Sequence, residues 1–449
     1  MNLKKLTALL LAALLLFGTL TACGNGNEPS TPSESAATDA SGATEATEAT
    51  EATEATDPTD PTDAEEDELG VTTLSNYAIL EATPHDENMS AAIAFDADGN
   101  PVMTNAMLQF PYWLQFFNFM NQYGMYAEYF GLDSSMPLAE QLSMTQGRTW
   151  EQYFLEEAAR DFLQQYALYR AALDNGHVLS EEEQTVLDDI TDPNGSIATG
   201  AAEAGFDSAE AYLQDNFGPG VDLQDYYDYV NVYLTANSYY TAIMAPLEEA
   251  FEADGETALR AFYDEHAEYF ATTPIRMVNN VSVRHILISP EQDETTGAIS
   301  DEAWAAAERT ANELLAQWQQ NPTEDNFAAL ANDNSSDPGS NTTGGLYEDF
   351  DSSTMVAEFT DWSFDPARVY GDTGIVKTTY GYHIMFFIGQ TETKGWVEAV
   401  HSKMPDAILF ELCDAYPVTF DFTRVRIFDL VTLMANEDAE AASEETPAP

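Results

Sequence analysis

Two apolar, strand-like runs of this chain, VSVRHIL at 281–287 and YGYHIMFF at 380–387, each carry one histidine. A period of two puts Val281, Val283, His285 and Leu287 on one face of the first run, and His383, Met385 and Phe387 on one face of the second. Each run spends an inward position on an imidazole, in a chain with only 6 histidines. A buried polar group left unpaired costs about 1–3 kcal/mol. The two rings are therefore expected to pair with each other or with a shared site.

Elsewhere the period changes. A possible strand, AAIAFDADGNPV, carries an Asp-Gly-Asn turn, and from Asn105 to about Phe270 the spacing is helical. Trp150, Phe154, Ala158, Phe162 and Tyr166 recur every fourth residue as one apolar stripe. Asn175-Gly176 stops that helix, and Ser180 with Glu183 forms a capping box for the next. Ser208 caps a short helix ending near Gly218, and 223–252 reads as a long Tyr-rich one. The dense aromatics of LQFPYWLQFFNFMNQYGMYAEYF are read mainly as core. Pro274 marks a change of texture. Beyond it the pattern predicts a strand (281–288), helices (301–319 and 324–332), a loop (334–350), a short helix (352–359) and two strands (374–378 and 381–388). This is α+β with a small antiparallel sheet. A helix near 396–415 follows, then YPVTFDFTRVRIFDL, read as a strand. It has no local partner, so it is expected to return and pair with the strand near 91–96.

Composition adds what the pattern leaves out. Met1–Lys5 is basic, Leu6–Leu16 is apolar but too short to span a bilayer, and LTAC ends at Cys23. This resembles a bacterial lipoprotein signal, which implies cleavage before Cys23 and a lipid anchor there, on the extracytoplasmic face of the cell membrane. Residues 24–70, with repeated Ala-Thr-Glu and Asp-Pro-Thr, lack the apolar surface to offset ordering entropy and read as a self-repelling spacer. Residues 437–449 read as a similar tail. A lipidated Cys23 leaves Cys413 as the one free thiol, at helical spacing and so expected in a core. With 15 Lys+Arg against 78 Asp+Glu and a net charge of −63, nucleic acid is excluded as a natural partner.

The block 276–390 resembles a parvulin-type peptidyl-prolyl isomerase. The resemblance rests on Arg284-His285-Ile286-Leu287, Phe327-Ala328-Ala329-Leu330-Ala331, Ser336-Asp337-Pro338-Gly339-Ser340, Gly344-Gly345, Met355, Phe359, Thr378 and Gly381-Tyr382-His383-Ile384, in that order. The wider plan is similar to extracytoplasmic foldases of the PrsA/SurA type. It implies a mostly helical N-terminal chaperone-like domain (71–275), an inserted parvulin-like domain (276–390), and a C-terminal helix and strand (391–436) completing the first.

Carried over, the resemblance makes His285, Asp337, Thr378 and His383 the catalytic set, and Tyr347, Met355 and Phe359 the pocket for a proline ring. Met355 and Phe359, four apart, are expected on one helical face. The reaction breaks no bond, so neither a metal nor another cofactor is expected. The implied partners are unfolded exported polypeptides, and a homodimer is compatible with the sequence. Glu348 stands where the family usually has a third glycine after Gly344-Gly345, beside the pocket. The bland alternatives are satisfied structural histidines, Met355 and Phe359 as ordinary core, and Asp337 as a turn residue before Pro338-Gly339. A holdase with a degenerate parvulin domain is the competing function.

Overall fold

A computed structural model describes residues 89–133, 136–143, 148–293 and 297–430. The signal, Cys23, the spacer at 24–70 and the tail at 437–449 lie outside the described residues. In chain order the elements are β1 (Ala92–Asp96), β2 (Pro101–Thr104), α1 (Asn105–Tyr123), α2 (Trp150–Asp174), α3 (Glu181–Thr191), α4 (Ser196–Ala204), α5 (Ala209–Phe217), α6 (Leu223–Glu265) and α7 (Ala267–Thr272). Then come β3 (Val281–Ile288), α8 (Asp301–Trp318), α9 (Glu324–Asn334), β4 (Leu346–Phe350), α10 (Ala357–Ser363), β5 (Thr373–Thr378), β6 (Gly381–Gln390), α11 (Gly395–Ala415) and β7 (Val418–Phe420). None of the described helices is long and apolar enough to cross a membrane. The described residues form two compact units, one of those up to 242 with 409–430, the other 243–408.

In the first unit the apolar stripe of α2 is buried along its whole length, from Trp150 to Tyr166. Both expected caps are present: Ser180 and Glu183 bond reciprocally at the start of α3, and the Ser208 hydroxyl accepts from the Ala211 N–H. Phe110, Tyr112, Trp113 and Phe116 of the aromatic segment are core, whereas Tyr126 and Tyr129 are exposed. The Tyr-rich helix α6 runs on to Glu265, past the expected end, with one non-helical residue at Asp254.

The three-stranded sheet has the order β2-β1-β7, and β7 pairs antiparallel with β1 through Ala94↔Phe420, Phe95↔Thr419 and Asp96↔Val418. The expected return of the C-terminal segment is therefore present, but the strand is only three residues long. From Arg424 to Phe428 two amide side chains of α1 take the place of a neighbouring strand. Asn105 donates to the Arg424 carbonyl at 3.0 Å and accepts from the Arg426 N–H at 2.7 Å. Gln109 donates to the Arg426 carbonyl at 2.8 Å and accepts from the Phe428 N–H at 2.9 Å. Four helical residues rise about 6 Å, close to the roughly 6.6 Å of two extended residues. An amide every fourth helical position can thus serve every second position of an extended chain. Both amides are fully buried, which makes their pairing obligatory.

The second unit holds a four-stranded antiparallel sheet of order β4-β3-β6-β5. The two central strands are buried on both faces. Ile286, Ile288, Tyr382, Ile384 and Phe386 pack under Ala307, Ala311, Leu314 and Trp318 of α8 and Phe327, Leu330 and Ala331 of α9. On the other face Val281, Val283, Met385 and Phe387 pack with Phe350, Phe359, Phe364 and Val376. The expected loop 334–350 ends in a strand, β4. Its exposed Glu348 and Asp349 hide the alternation a strand would show. The short helix starts at Ala357, not 352, because Asp351 turns the chain onto Ser353 and Thr354 first. Met355 therefore precedes the helix. It reaches the same apolar cluster as Phe359, though not by helical spacing.

Candidate functional site

The site grows from the register of this sheet. His285 lies opposite Met385, and Leu287 opposite His383, so the two histidines are diagonal neighbours across β3 and β6. Thr378 is diagonal to His383 by the same rule, since Val376 opposes it, and Tyr347 is diagonal to His285, since Val283 opposes it. Diagonal positions on one face lie about 7–8 Å apart, within reach of ring side chains. Thr378, His383, His285 and Tyr347 accordingly form one oblique row across all four strands.

The row is hydrogen-bonded end to end. The Tyr380 N–H donates to Thr378 Oγ1 at 3.1 Å, and Thr378 Oγ1 meets His383 Nε2 at 2.9 Å. His383 Nδ1 meets His285 Nδ1 at 3.0 Å, and His285 Nε2 meets Asp337 Oδ2 at 2.9 Å. The same Asp337 oxygen accepts from the Ser340 hydroxyl at 2.5 Å and the Tyr347 hydroxyl at 3.0 Å. With Asp337 ionised and both rings neutral, one proton order satisfies every contact. His285 donates from Nε2 to Asp337, so its Nδ1 must accept from His383. His383 then accepts at Nε2 from the Thr378 hydroxyl.

Three members of the row have shifted proton affinities. Asp337 is held well below the usual carboxylate range, first by the His285 hydrogen bond, then by Ser340 and the Gly339 N–H, against the penalty of partial burial. Burial and the neighbouring His285 push His383 down to about 4, so the ring is neutral at physiological pH. Burial and the bond to Asp337 push the Tyr347 phenol up to about 12, which keeps its proton on the donor side.

Two loops hold the acid end. Asp337 sits in Asp-Pro-Gly-Ser after α9, where its side chain accepts from the Gly339 N–H. Gly345 lies at φ +69°, and a Cβ there would stand 2.0 Å from the His285 carbonyl oxygen. The Gly345 carbonyl in turn accepts from the His285 N–H at 2.8 Å. Arg284 ties this loop to the sheet by bonding the Thr343 and Gly344 carbonyls and Glu324. The departure at Glu348 proves harmless to the backbone. The left-handed residue is the next one, Asp349 at φ 53°, the only non-glycine with positive φ among the described residues. Its carboxylate is held by the Thr391 and Thr393 hydroxyls.

The apolar wall stands over the imidazoles. Phe359 meets His285 edge-on at 5.3 Å and His383 at 5.4 Å between ring centroids. Phe359 is buried, while Met355 and Tyr347 are half-buried and carry the accessible part of the wall. All seven residues expected at the site thus converge. Ser340, fully buried between Asp337 and His285, belongs with them; the sequence placed it in the 336–340 motif but gave it no role at the site. Its signal was the hydroxyl three residues after an aspartate in a turn.

Residues 271–390 match the family model described as the PPIC-type PPIase domain. The segment is a PPIC-type PPIase domain. Cbf2 of Campylobacter jejuni, named as a peptidyl-prolyl cis-trans isomerase, is 33% identical over 127 residues, 28% of this chain and 40% of its own. The foldase protein PrsA of Caldanaerobacter subterraneus is 31% identical over 146 residues, 31% of this chain and 38% of its own. The chain thus spans about two fifths of the length of these relatives. Among solved structures, PrsA of Bacillus anthracis is 17% identical, covering 65% of this chain and 99% of its own with a TM-score of 0.23. In this chain the parvulin-type domain carries the whole diagonal row and its apolar wall.

Proposed function

We propose that the protein is a membrane-anchored, extracytoplasmic peptidyl-prolyl cis-trans isomerase and foldase acting on exported polypeptides. The single observation that carries this reading is the completed row from Thr378 to Asp337 beneath the Met355, Tyr347 and Phe359 wall. The match over 271–390 supports it.

Rotation about an X-Pro bond faces a barrier of roughly 18–20 kcal/mol and takes tens of seconds unaided. An apolar wall that takes the prolyl amide out of water weakens the charge-separated resonance form that keeps it planar. Polar groups beside the wall then favour the twisted carbonyl over either planar state. His285 and His383 hold the direction of every hydrogen bond in the row and transfer no proton. Asp337 and Tyr347 sit at its accessible end, Met355 faces the ring, and Phe359 supports the ring from behind. Catalysis on this plan needs no metal. Cys23 supplies the anchor, beyond the described residues.

The test is an isomerisation assay with a proline peptide on the whole protein, its His285→Ala variant and its Met355→Ala variant. Acceleration over buffer that both variants reduce supports the reading. A wild-type rate equal to that of buffer would sink it. The exposed Tyr126 and Tyr129 of the helical unit favour a second role, holding unfolded chains. It is tested by suppression of client aggregation with and without Tyr126→Ser and Tyr129→Ser.

A further inference from the structure

The helical unit contains a cavity of about 330 Å³, at the lower end of the range for small-ligand sites. Its walls are Tyr112 and Trp113 of α1, the 137–140 segment, Glu151 at the start of α2, and Ile427–Asp429 of the returning C-terminal segment. The Asn105 and Gln109 clasp fixes that last wall. Nothing in the fold so far described uses this space.

Its chemistry is one-sided. Glu151, Glu140 and Asp429 line it, and among the described residues no lysine, arginine or histidine does. Glu151 is 6% exposed, although a lone buried carboxylate is costly unless it is paired. Trp113 is 1% exposed, and its indole N–H has no hydrogen-bond partner among the described residues. Buried groups of this kind are normally satisfied. The remaining walls, Tyr112, Leu138, Ile427 and Phe428, are apolar or aromatic.

We propose that this cavity binds the ammonium or guanidinium head of an organic cation on an apolar stem, of the kind borne by a lysine or arginine side chain. Glu151 faces the charge with Asp429 nearby, and the aromatic walls pack along the stem. Burial, with Asp429 nearby, pushes the Glu151 carboxyl up to about 7. A bound cation favours its ionised form, so binding releases a proton near neutral pH. The titratable groups facing the site are Glu140, Glu151, Asp429 and the Tyr112 phenol.

The experiment is calorimetric titration of the whole protein with N-acetylarginine amide, its neutral isostere N-acetylcitrulline amide, and agmatine. Saturable binding of the arginine compound, absent with the citrulline compound and weaker at pH 5.5 than at pH 7.5, is expected. Glu151→Gln is expected to weaken it by about tenfold or more, as for loss of a charged hydrogen bond, with Asp429→Asn weakening it less. Far-ultraviolet circular dichroism and the melting curve check that each variant is folded. Tighter binding of N-acetylarginine amide than agmatine points to a polypeptide source, and equal binding to a free amine. Equal signals from the arginine and citrulline compounds overturn the proposal. So does wild-type affinity in both folded variants, or no saturable binding of either cation. Isomerase activity plays no part in these readouts, so this proposal stands or falls apart from the parvulin site.

Discussion

Acid should destabilise the parvulin-type unit through one ring. His383 falls from an ordinary 6.5 to about 4 on folding. The folded state therefore resists a proton that the unfolded chain takes up readily. The stability this group contributes is fully present above 6.5 and is lost as pH falls towards 4. Two and a half units correspond to about 3 kcal/mol, of which roughly 2 kcal/mol is already gone at pH 5. Asp337 acts in the same direction at lower pH, because its depressed carboxyl loses its contribution as pH falls below the ordinary carboxylate range. Glu151, pushed up to about 7, and Asp161, pushed up to about 6, act in the opposite sense in the helical unit. They favour the folded state as pH drops, so a global melt would mix the two signs. The assay is urea unfolding followed by amide resonances of Ser282–Ile288 and Tyr382–Phe387, at pH 7, 6 and 5, for wild type and His383→Asn. Asparagine keeps a donor towards His285 but cannot titrate. Wild type should lose about 2 kcal/mol more than the variant between pH 7 and pH 5. Parallel pH curves would refute the neutral, buried assignment of His383 and the proton order built on it.

Three further outcomes follow from single contacts. Ser340→Ala removes a donor to a buried-side carboxylate and should cost about 1.5–3 kcal/mol in urea unfolding of the same unit, while an unchanged midpoint would demote Ser340 to a bystander. Gln109→Leu orphans the Arg426 carbonyl and the Phe428 N–H, at about 1–3 kcal/mol each, and should speed amide exchange at Val418–Phe420 without altering Val281–Ile288. Because Asp349 sits at φ 53°, Asp349→Ala should be less stable than Asp349→Gly by about 1 kcal/mol, and equal stabilities would argue against the left-handed assignment.

The strongest periodic signals survived folding because local and tertiary preferences agreed. The α2 stripe, the Ser180 cap and the two histidine strands each present one face to a core that needs that face. The order of site residues was legible too, since Asp337, Met355, Phe359 and Thr378 could be found by reading outward from the two rings. The pairing of the C-terminal segment with β1 followed from an unpartnered strand pattern.

Elsewhere the decision belonged to groups distant in sequence. YPVTFDFTRVRIFDL looks like one strand, yet Asn105 and Gln109 take over its backbone after Phe420, and nothing within the segment announces two helix amides more than 300 residues away. Strand β4 is an edge strand with charged exposed positions, so its alternation is invisible until β3 is beside it. Ser340 became part of the site only when the turn folded its hydroxyl under His285. Sequence alone determined which residues could pack or pair, because period and residue chemistry are local properties. Only tertiary structure decided which hydrogen-bond partner each polar group met. Burial removes water as the alternative, and the partner that remains is set by strand register, not by neighbours along the chain.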